Sequence, residues 1–161
     1  MRGYLLDNNH VSALYRKEPS VIKRYQEVPH DWQLRVCTIT LGEIEFGHLI
    51  ANSPDALKQD DFNRFLNDNF IAGDIALPVS VATRIDYAEL LCRILQEHPV
   101  PSSKTRTEYH LANIGVDMND LWAVSIAREH NLIFATQDEM KVIRKAAFDV
   151  QFDNWFDTNE S

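Results

Sequence analysis

The sequence predicts a single-domain α/β fold with a mostly parallel central sheet flanked by helices. Short runs of apolar and β-branched residues alternate along the chain with longer segments of helical periodicity. These short runs are continuously apolar, which is typical of strands that are buried on both faces of a parallel sheet. The length of 161 residues suits one core, since a chain of this size buries roughly 70% of its unfolded surface. We expect the domain to cover residues 1–155, with residues 156–161 as a C-terminal tail.

The chain begins with a predicted strand and two predicted helices. Tyr4–Leu6 is the first strand, and it leads into an acidic residue at Asp7. A helix follows directly, because apolar residues recur at helical spacing: Val11, Leu14 and Tyr15. The next helix covers Val21–Glu27 and starts at Pro19 or Ser20, both of which suit a helix N-terminus.

The second strand is predicted over Arg35–Thr40, which is rich in β-branched residues. A helix from Leu41 to about Ile50 follows it, with Glu43 in the first turn. The expected core residues of this helix are Leu41, Ile44, Phe46 and Leu49. Another helix begins with Ser53 as N-cap and Pro54 at the first position. Its predicted apolar face consists of Leu57, Phe62, Phe65 and Leu66, and its predicted solvated face of Asp60, Asp61, Asn67 and Asp68.

A third strand is predicted over Asp74–Val79, and Ser80 is expected to cap a long helix that ends near Gln96. The apolar positions of this helix are predicted at spacings of three and four: Val81, Ile85, Ala88, Leu91 and Leu95. Residues 98–113 are polar and interrupted by proline, so we expect a loop or an active-site flap.

The stretch Gly115–Asp138 combines a helix with an acidic start and a buried strand with an acidic end. Asp117, Asn119 and Asp120 precede the apolar helix, and the strand Leu132–Ala135 ends at Thr136 and Asp138. A short helix, Met140–Ala146, then leads to a last strand around Phe148–Phe152, and Trp155 is expected to dock.

Four carboxylates follow strand ends or open helices: Asp7, Glu43, Asp120 and Asp138. Ligands of parallel sheets lie beyond the carboxyl ends of the strands, so these side chains could meet there. Such a cluster favours a divalent metal, because Mg²⁺ or Mn²⁺ takes hard oxygen ligands and relieves the repulsion between them. An ion of this kind polarises phosphoryl oxygens and activates water.

Composition limits the other functions that the chain could have. A net charge of −8 and a pI near 5.1 argue against nonspecific coating of nucleic acid. No stretch approaches the roughly 20 apolar residues of a membrane span, and Asp7 interrupts any signal-peptide core. We therefore expect a cytoplasmic protein. Cys37 and Cys92 are isolated, so both are expected to be buried, reduced thiols.

Four motifs resemble those of a known family. YLLDNNHVSAL, TITLGEIEFG, MNDLWAVSIA and LIFATQD are similar, in the same order, to the motifs of PIN-domain proteins, in particular the VapC-type toxins of bacterial toxin–antitoxin pairs. The resemblance runs from Leu5 to about Trp155. It departs from the family at Asn8, where Thr is common, and in the longer segment Pro99–Asn113.

The resemblance implies a metal-dependent endoribonuclease with Mg²⁺ or Mn²⁺ as cofactor, commonly a homodimer, neutralised by a cognate antitoxin. It assigns the catalytic and metal-binding acids to Asp7, Glu43, Asp120 and Asp138, with Asn9 and Thr136 as supporting polar residues. The corresponding hypothesis is hydrolysis of RNA phosphodiester bonds. The alternatives are a catalytically silent PIN-like module that binds a protein or RNA partner and, third, a phosphotransfer receiver or phosphatase.

Several residues keep more than one interpretation. Asp117 competes with Asp120 as the metal ligand: either Asp117 caps the helix while Asp120 faces the site, or the two share the task. Glu45 competes with Glu43. Lys104 and Arg106 are our candidates for RNA phosphate contact. His10 is interpreted as a surface residue at a helix start.

Overall fold

The computed structural model describes residues 2–51, 56–71 and 76–156, with side chains omitted at residues 56–58. Five parallel strands form one sheet in the order β3-β2-β1-β4-β5. The strands are β1 (Gly3–Leu6), β2 (Gln33–Cys37), β3 (Ala76–Leu77), β4 (Ile133–Ala135) and β5 (Phe152–Asp153). The predicted α/β fold with a parallel sheet is confirmed.

Helices connect the strands and cover both faces of the sheet. They are α1 (Asn8–Arg16), α2 (Pro19–Glu27), α3 (Thr38–Ile50), α4 (Ala56–Leu66), α5 (Thr83–Glu97), α6 (Thr107–Asn113), α7 (Met118–Glu129) and α8 (Lys141–Ala146). A π-helical turn, Asn67–Ile71, continues α4. None of the helices within the described ranges is long and apolar enough to span a membrane.

The core lies in two layers, one on each face of the sheet. Consecutive residues of β1 point to opposite faces, so that Leu5 joins one layer while Tyr4 and Leu6 join the other. The first layer contains buried residues of α5, α7 and α8 together with Phe134. The second contains buried residues of α1 to α4 and Trp155. The predicted docking of Trp155 is confirmed.

Gly3 allows β1 and β2 to pair closely at their first residues. It lies opposite Gln33 in the parallel register. A Cβ atom at Gly3 would overlap the backbone carbonyl oxygen of Gln33. The close approach of the two strands therefore requires glycine at this position.

The predicted boundary between the second strand and its helix was wrong. The strand ends at Cys37, and α3 begins at Thr38 rather than at Leu41. Thr40 is buried, with its hydroxyl 3.3 Å from the Cys37 sulfur, so packing overrides the β propensity of the β-branched residues there. Glu43 consequently lies in the second turn of α3 rather than in the first.

Two predicted apolar faces were wrong in part. Phe46 is 62% exposed and Leu49 is exposed, whereas Ile44 of the same helix is buried. Of the positions predicted for the helix now seen as α5, Val81 precedes the helix and is exposed, as are Ile85 and Ala88. Leu91 and Leu95 are partly buried against the core. The fully buried residues of α5 are Thr83, Leu90 and Ile94. Apolar residues lie on more than one side of each helix, so their spacing does not determine which side packs on the sheet.

The remaining corrections concern single segments. Residues 107–113 form α6, so only the first part of the predicted loop is irregular. The last strand begins at Phe152, and Phe148 is exposed. Cys92 is exposed, whereas Cys37 is buried as predicted. The predicted cap at Ser53 and Pro54, the side chain of Leu57 and the start of the third strand lie outside the described residues.

Candidate active site

The carboxyl ends of β1 and β4 open onto an acidic cleft of about 710 Å³. The two strands are neighbours at the centre of the sheet, and α3 and α7 contribute the opposite wall. Five carboxylate side chains line the cleft: Asp7, Glu43, Asp117, Asp120 and Asp138. The structure thus brings together all four acids that the resemblance singles out, and it adds the rival Asp117.

Asp7 is buried at the point where β1 becomes α1. Its Oδ1 accepts a hydrogen bond from the Asn8 backbone N–H at 2.7 Å, so it also caps α1. Its Oδ2 accepts from the Thr136 hydroxyl at 2.8 Å. Burial is the main cause that raises the pKa of Asp7, and the hydrogen bonds from Thr136 and Asn8 oppose this effect.

Thr136 and Asn9 join the first acid to the last. The Thr136 hydroxyl donates to Asp7 and accepts from the Asp138 backbone N–H at 3.1 Å. The Asn9 side-chain amide donates to Asp7 Oδ2 and to Asp138 Oδ2, both at 3.3 Å. These contacts suit the supporting role that the resemblance implies for Asn9 and Thr136.

His10 lies behind Asn9 and is fully buried, so its interpretation as a surface residue was wrong. Its ring packs edge-on against Trp155 and Phe156. Burial lowers its pKa to about 4, which makes the ring neutral at physiological pH. A helix-start histidine was expected to face water, but α1 turns this position inward, toward the docked C-terminal segment.

The wall opposite Asp7 comes from α3 and from the start of α7. Glu43 Oε1 accepts a hydrogen bond from the Asn119 side-chain amide at 2.9 Å. Asp117 caps α7, with its Oδ1 accepting from the Asn119 backbone N–H at 2.7 Å. Burial is the main cause that raises the pKa of Glu43, and the negative charge of Asp7 raises it further. The hydrogen bond from Asn119 lowers this pKa and so opposes both effects.

Asp120 differs from the other acids in the cleft. It lies in the first turn of α7 and is only partly exposed. Within the described part of the chain, its carboxylate accepts no hydrogen bond. Burial, followed by the charges of Asp7, Asp117, Glu43 and Asp138, raises its pKa to about 7. Asp117 caps the helix and Asp120 faces the cleft, which is one of the two arrangements that the sequence left open.

The donor set fits a divalent ion that is held partly through water. Among the residues with described side chains, no group of three or more His, Cys, Asp or Glu side chains could hold one ion directly. Mg²⁺ commonly uses one or two carboxylates and keeps several waters, so a looser arrangement of hard oxygens is compatible with it. Burial, together with the negative charges of neighbouring acids, raises the pKa values of Asp7, Glu43 and Asp120, and a bound cation would oppose this effect.

One arginine and one aromatic side chain also line the cleft. Arg16, at the end of α1, is exposed and forms no side-chain hydrogen bond or ion pair with any other described residue. Phe46 of α3 lies at the cleft with most of its surface exposed. Lys104 and Arg106, the predicted phosphate contacts, do not line the cleft. The Arg106 Nε atom instead lies 3.6 Å from Glu108 Oε2, in an exposed ion pair.

A second cavity, of about 590 Å³, lies at the opposite edge of the sheet. Both of the aspartates that line it form ion pairs with arginines that also line it. Arg24 lies 3.2 Å from Asp153, and Arg128 lies 2.9 Å from Asp149. The acidic cleft, in contrast, contains an excess of carboxylates, and for this reason it is the candidate active site.

Solved structures with a similar fold come from bacterial VapBC and related complexes. VapBC2 from Rickettsia felis, bound to a DNA fragment from its promoter, matches with a TM-score of 0.70 and 17% identity, over 97% of this chain and 100% of that chain. VapBC-1 from nontypeable Haemophilus influenzae matches with a TM-score of 0.67 and 17% identity, over 96% and 98%. FitAcB from Neisseria gonorrhoeae matches with a TM-score of 0.62 and 19% identity, over 94% and 97%.

The chain has the PIN-domain fold. At 15–22% identity the matches show a shared fold. No family model matches the sequence, and no curated protein matches it.

Within this PIN-domain fold, the acidic residues were predictable and several of their neighbours were not. Arg16, Phe46 and Asn119 line the cleft. Phe46 was expected in the core, Asn119 was noted only as part of the acidic helix start, and nothing in the sequence context of Arg16 distinguishes it from a surface residue. The buried position of His10 was missed as well. Its place directly after Asp7 and Asn9 was the only available signal.

Proposed function

We propose that this protein is a metal-dependent endoribonuclease and the toxin of a toxin–antitoxin pair. The observation that carries the proposal is the half-buried Asp120 carboxylate, which faces four other carboxylates and accepts no hydrogen bond from the described residues. Packing alone gives no reason to place five acids around one cleft, because negative charges this close together repel one another. A divalent cation in the cleft would remove this cost.

The residues that would hold Mg²⁺ or Mn²⁺ are Asp7, Glu43, Asp120 and Asp138, directly or through water. Asp117 would contribute mainly charge, since one of its oxygens caps α7. When bound, the ion would polarise a phosphoryl oxygen of RNA and activate water for attack on phosphorus. Thr136 and Asn9 would hold Asp7 and Asp138 in position through the hydrogen bonds that join them.

The substrate would meet the cleft at Arg16 and Phe46. The guanidinium group of Arg16 has no described protein partner, and guanidinium groups pair with phosphate oxygens. The exposed Phe46 ring offers a surface for stacking a base of single-stranded RNA. Lys104 and Arg106, our sequence-based candidates, lie outside the cleft lining and remain a prediction for more distant phosphates.

The proposed protein partner is a cognate antitoxin, as the VapBC and toxin–antitoxin complexes among the similar structures suggest. Phe46, Leu49 and Ile50 of α3 form an exposed apolar surface next to the acidic cleft. An apolar patch on a soluble domain commonly marks an interaction surface. A homodimer in the cytoplasm remains part of the proposal, as the resemblance implies.

The proposal is tested by RNA cleavage with the purified protein. Cleavage should stop in the presence of a chelator, return when Mg²⁺ or Mn²⁺ is added in excess, and be lost in Asp7→Asn and Asp120→Asn. Asp68→Asn is the matched control, because Asp68 is exposed and lies on the π-helical turn, away from the cleft. Cleavage that survives chelation equally in all four proteins would refute the proposal. Metal binding without any cleavage would favour the binding module.

A further inference from the structure

We infer that His10 is a positioning residue, which holds the Asn9 side-chain amide in the orientation that joins Asp7 to Asp138. The inference rests on the proposed function in one respect: it takes these two carboxylates to be part of the active site. Its own basis is a chain of hydrogen bonds that runs from the C-terminal segment into the cleft.

The contact with Trp155 determines which nitrogen of the His10 ring carries the proton. The Trp155 backbone N–H donates to His10 Nε2 at 3.1 Å, in a buried environment. A backbone N–H can only donate, so Nε2 must be unprotonated. The proton of the neutral ring therefore lies on Nδ1.

The Nδ1 proton in turn determines the orientation of Asn9. His10 Nδ1 lies 2.7 Å from Asn9 Oδ1, so the ring donates and the amide oxygen accepts. The Gln137 backbone N–H, at 3.4 Å, approaches the same oxygen and can also only donate. With Oδ1 engaged on this side, the amide NH₂ group faces the cleft.

The opposite orientation of the Asn9 amide would be repelled by the site. The NH₂ group now donates to one oxygen of Asp7 and one of Asp138, each at 3.3 Å. A reversed amide would place its oxygen against both carboxylates and its NH₂ group against the Nδ1 proton of His10. His10 therefore acts through Asn9 on the two acids, although it does not line the cleft itself.

The C-terminal segment around Trp155 supports the active site through the contacts from Trp155 to His10 and from His10 to Asn9. Trp155 is buried against Tyr4 and His10, with ring centroids 5.1 and 5.5 Å apart respectively. This packing holds the Trp155 backbone N–H against the imidazole. An apolar side chain at position 10 could fill the same volume, but it would supply neither the acceptor for Trp155 nor the donor for Asn9.

The first test needs no metal, no RNA and no variant. Long-range ¹H–¹⁵N correlation spectra of the metal-free, ¹⁵N-labelled protein distinguish a protonated from an unprotonated ring nitrogen. The expected result is a neutral His10 ring with the proton on Nδ1. A ring protonated on Nε2, or on both nitrogens, at pH 7.5 would overturn the inference.

Three variants then separate positioning from simple packing. His10→Leu removes both hydrogen bonds, His10→Asn places an amide donor near the Nδ1 position, and His10→Gln keeps an acceptor near the Nε2 position. We expect His10→Leu to weaken Mn²⁺ binding, measured by calorimetry, about 10- to 100-fold, in the range typical of residues that orient metal ligands. His10→Asn should recover most of this loss, and His10→Gln should not.

The outcomes distinguish this inference from the proposed function. Equal Mn²⁺ affinity in the parent protein and His10→Leu, or recovery by His10→Gln rather than by His10→Asn, would overturn the positioning role. If the parent protein binds no Mn²⁺, the proposed function fails. The ring tautomer and the shift of the Asn9 side-chain amide resonances in His10→Asn and His10→Leu then still decide whether His10 orients Asn9.

Discussion

Replacing Asp120 by Asn should stabilise the metal-free protein above pH 7. The carboxyl group of Asp120 accepts no hydrogen bond from the described residues and shares the cleft with Asp7, Glu43, Asp117 and Asp138. An asparagine of nearly the same shape carries no charge and brings two N–H donors to these acids. The variant therefore removes an unfavourable charge and leaves the packing of α7 unchanged.

The magnitude follows from the pKa of Asp120, which rises from its usual 3.8 to about 7 in the folded protein. The native state binds one more proton than the unfolded state between these two values, so stability falls as the pH rises from about 4 to about 7. The full rise corresponds to about 4 kcal/mol. Since the group is partly exposed to solvent, which screens its charge, we expect a net gain for Asp120→Asn of about 2 kcal/mol above pH 7.

Urea unfolding in the presence of a chelator measures this gain. At pH 8 the variant should be more stable by about 2 kcal/mol, which corresponds to about 4–8 °C in melting temperature for a chain of this size. At pH 5 the gain should be under about 1 kcal/mol, because Asp120 is then protonated in the parent protein. Asp68→Asn, an exposed control, should change stability by less than about 0.5 kcal/mol at either pH. A loss of stability at pH 8, or equal gains at both pH values, would refute the reasoning.

Three further predictions follow from the site and the core. Mg²⁺ affinity, measured by calorimetry, should fall by up to about tenfold per pH unit below about 7, because the ion competes with the proton on Asp120; equal affinity at pH 6 and pH 8 would contradict this. Phe134→Ala, at a fully buried position, should cost about 3–5 kcal/mol in urea unfolding, against less than about 1 kcal/mol for the 76% exposed Phe148→Ala. Gly3→Ala should lower the free energy of unfolding by more than about 1 kcal/mol, because the added methyl group overlaps the neighbouring strand. Gly42→Ala, in open space on α3, should raise it by about 0.5–1 kcal/mol. Similar effects of the two substitutions would contradict the claim that the close pairing of β1 and β2 requires glycine at position 3.

Predictions that depend on local chemistry agreed with the structure. Asp117 caps α7 through its own side chain, and Pro19 stands at the first position of α2, because caps and N-terminal prolines act within one turn of the chain. The acids after β1 and β4 meet because parallel strands deliver their carboxyl ends to the same edge of the sheet. The position of these acids in the fold can therefore be predicted from their place in the sequence, directly after a strand.

Predictions that depend on the partner of a helix did not always agree. Both Leu90 and Ile85 of α5 belong to apolar series of helical spacing, yet only Leu90 is buried. Phe46 resembles a core residue in the sequence and lies exposed at the cleft. Periodicity describes a stripe on a helix, whereas burial depends on which stripe the neighbouring elements cover.

The sequence by itself therefore determined the order of the strands and of every helix except α6, the parallel sheet and the acids at its carboxyl edge, because local residue patterns and strand order encode these features. The tertiary structure alone decided that Asp120 rather than Asp117 is left without a hydrogen bond, that Arg16 and Phe46 line the cleft, and that His10 contacts Trp155, 145 residues further along the chain. These features depend on contacts between distant segments, which arise only when the sheet and its two helical layers have packed.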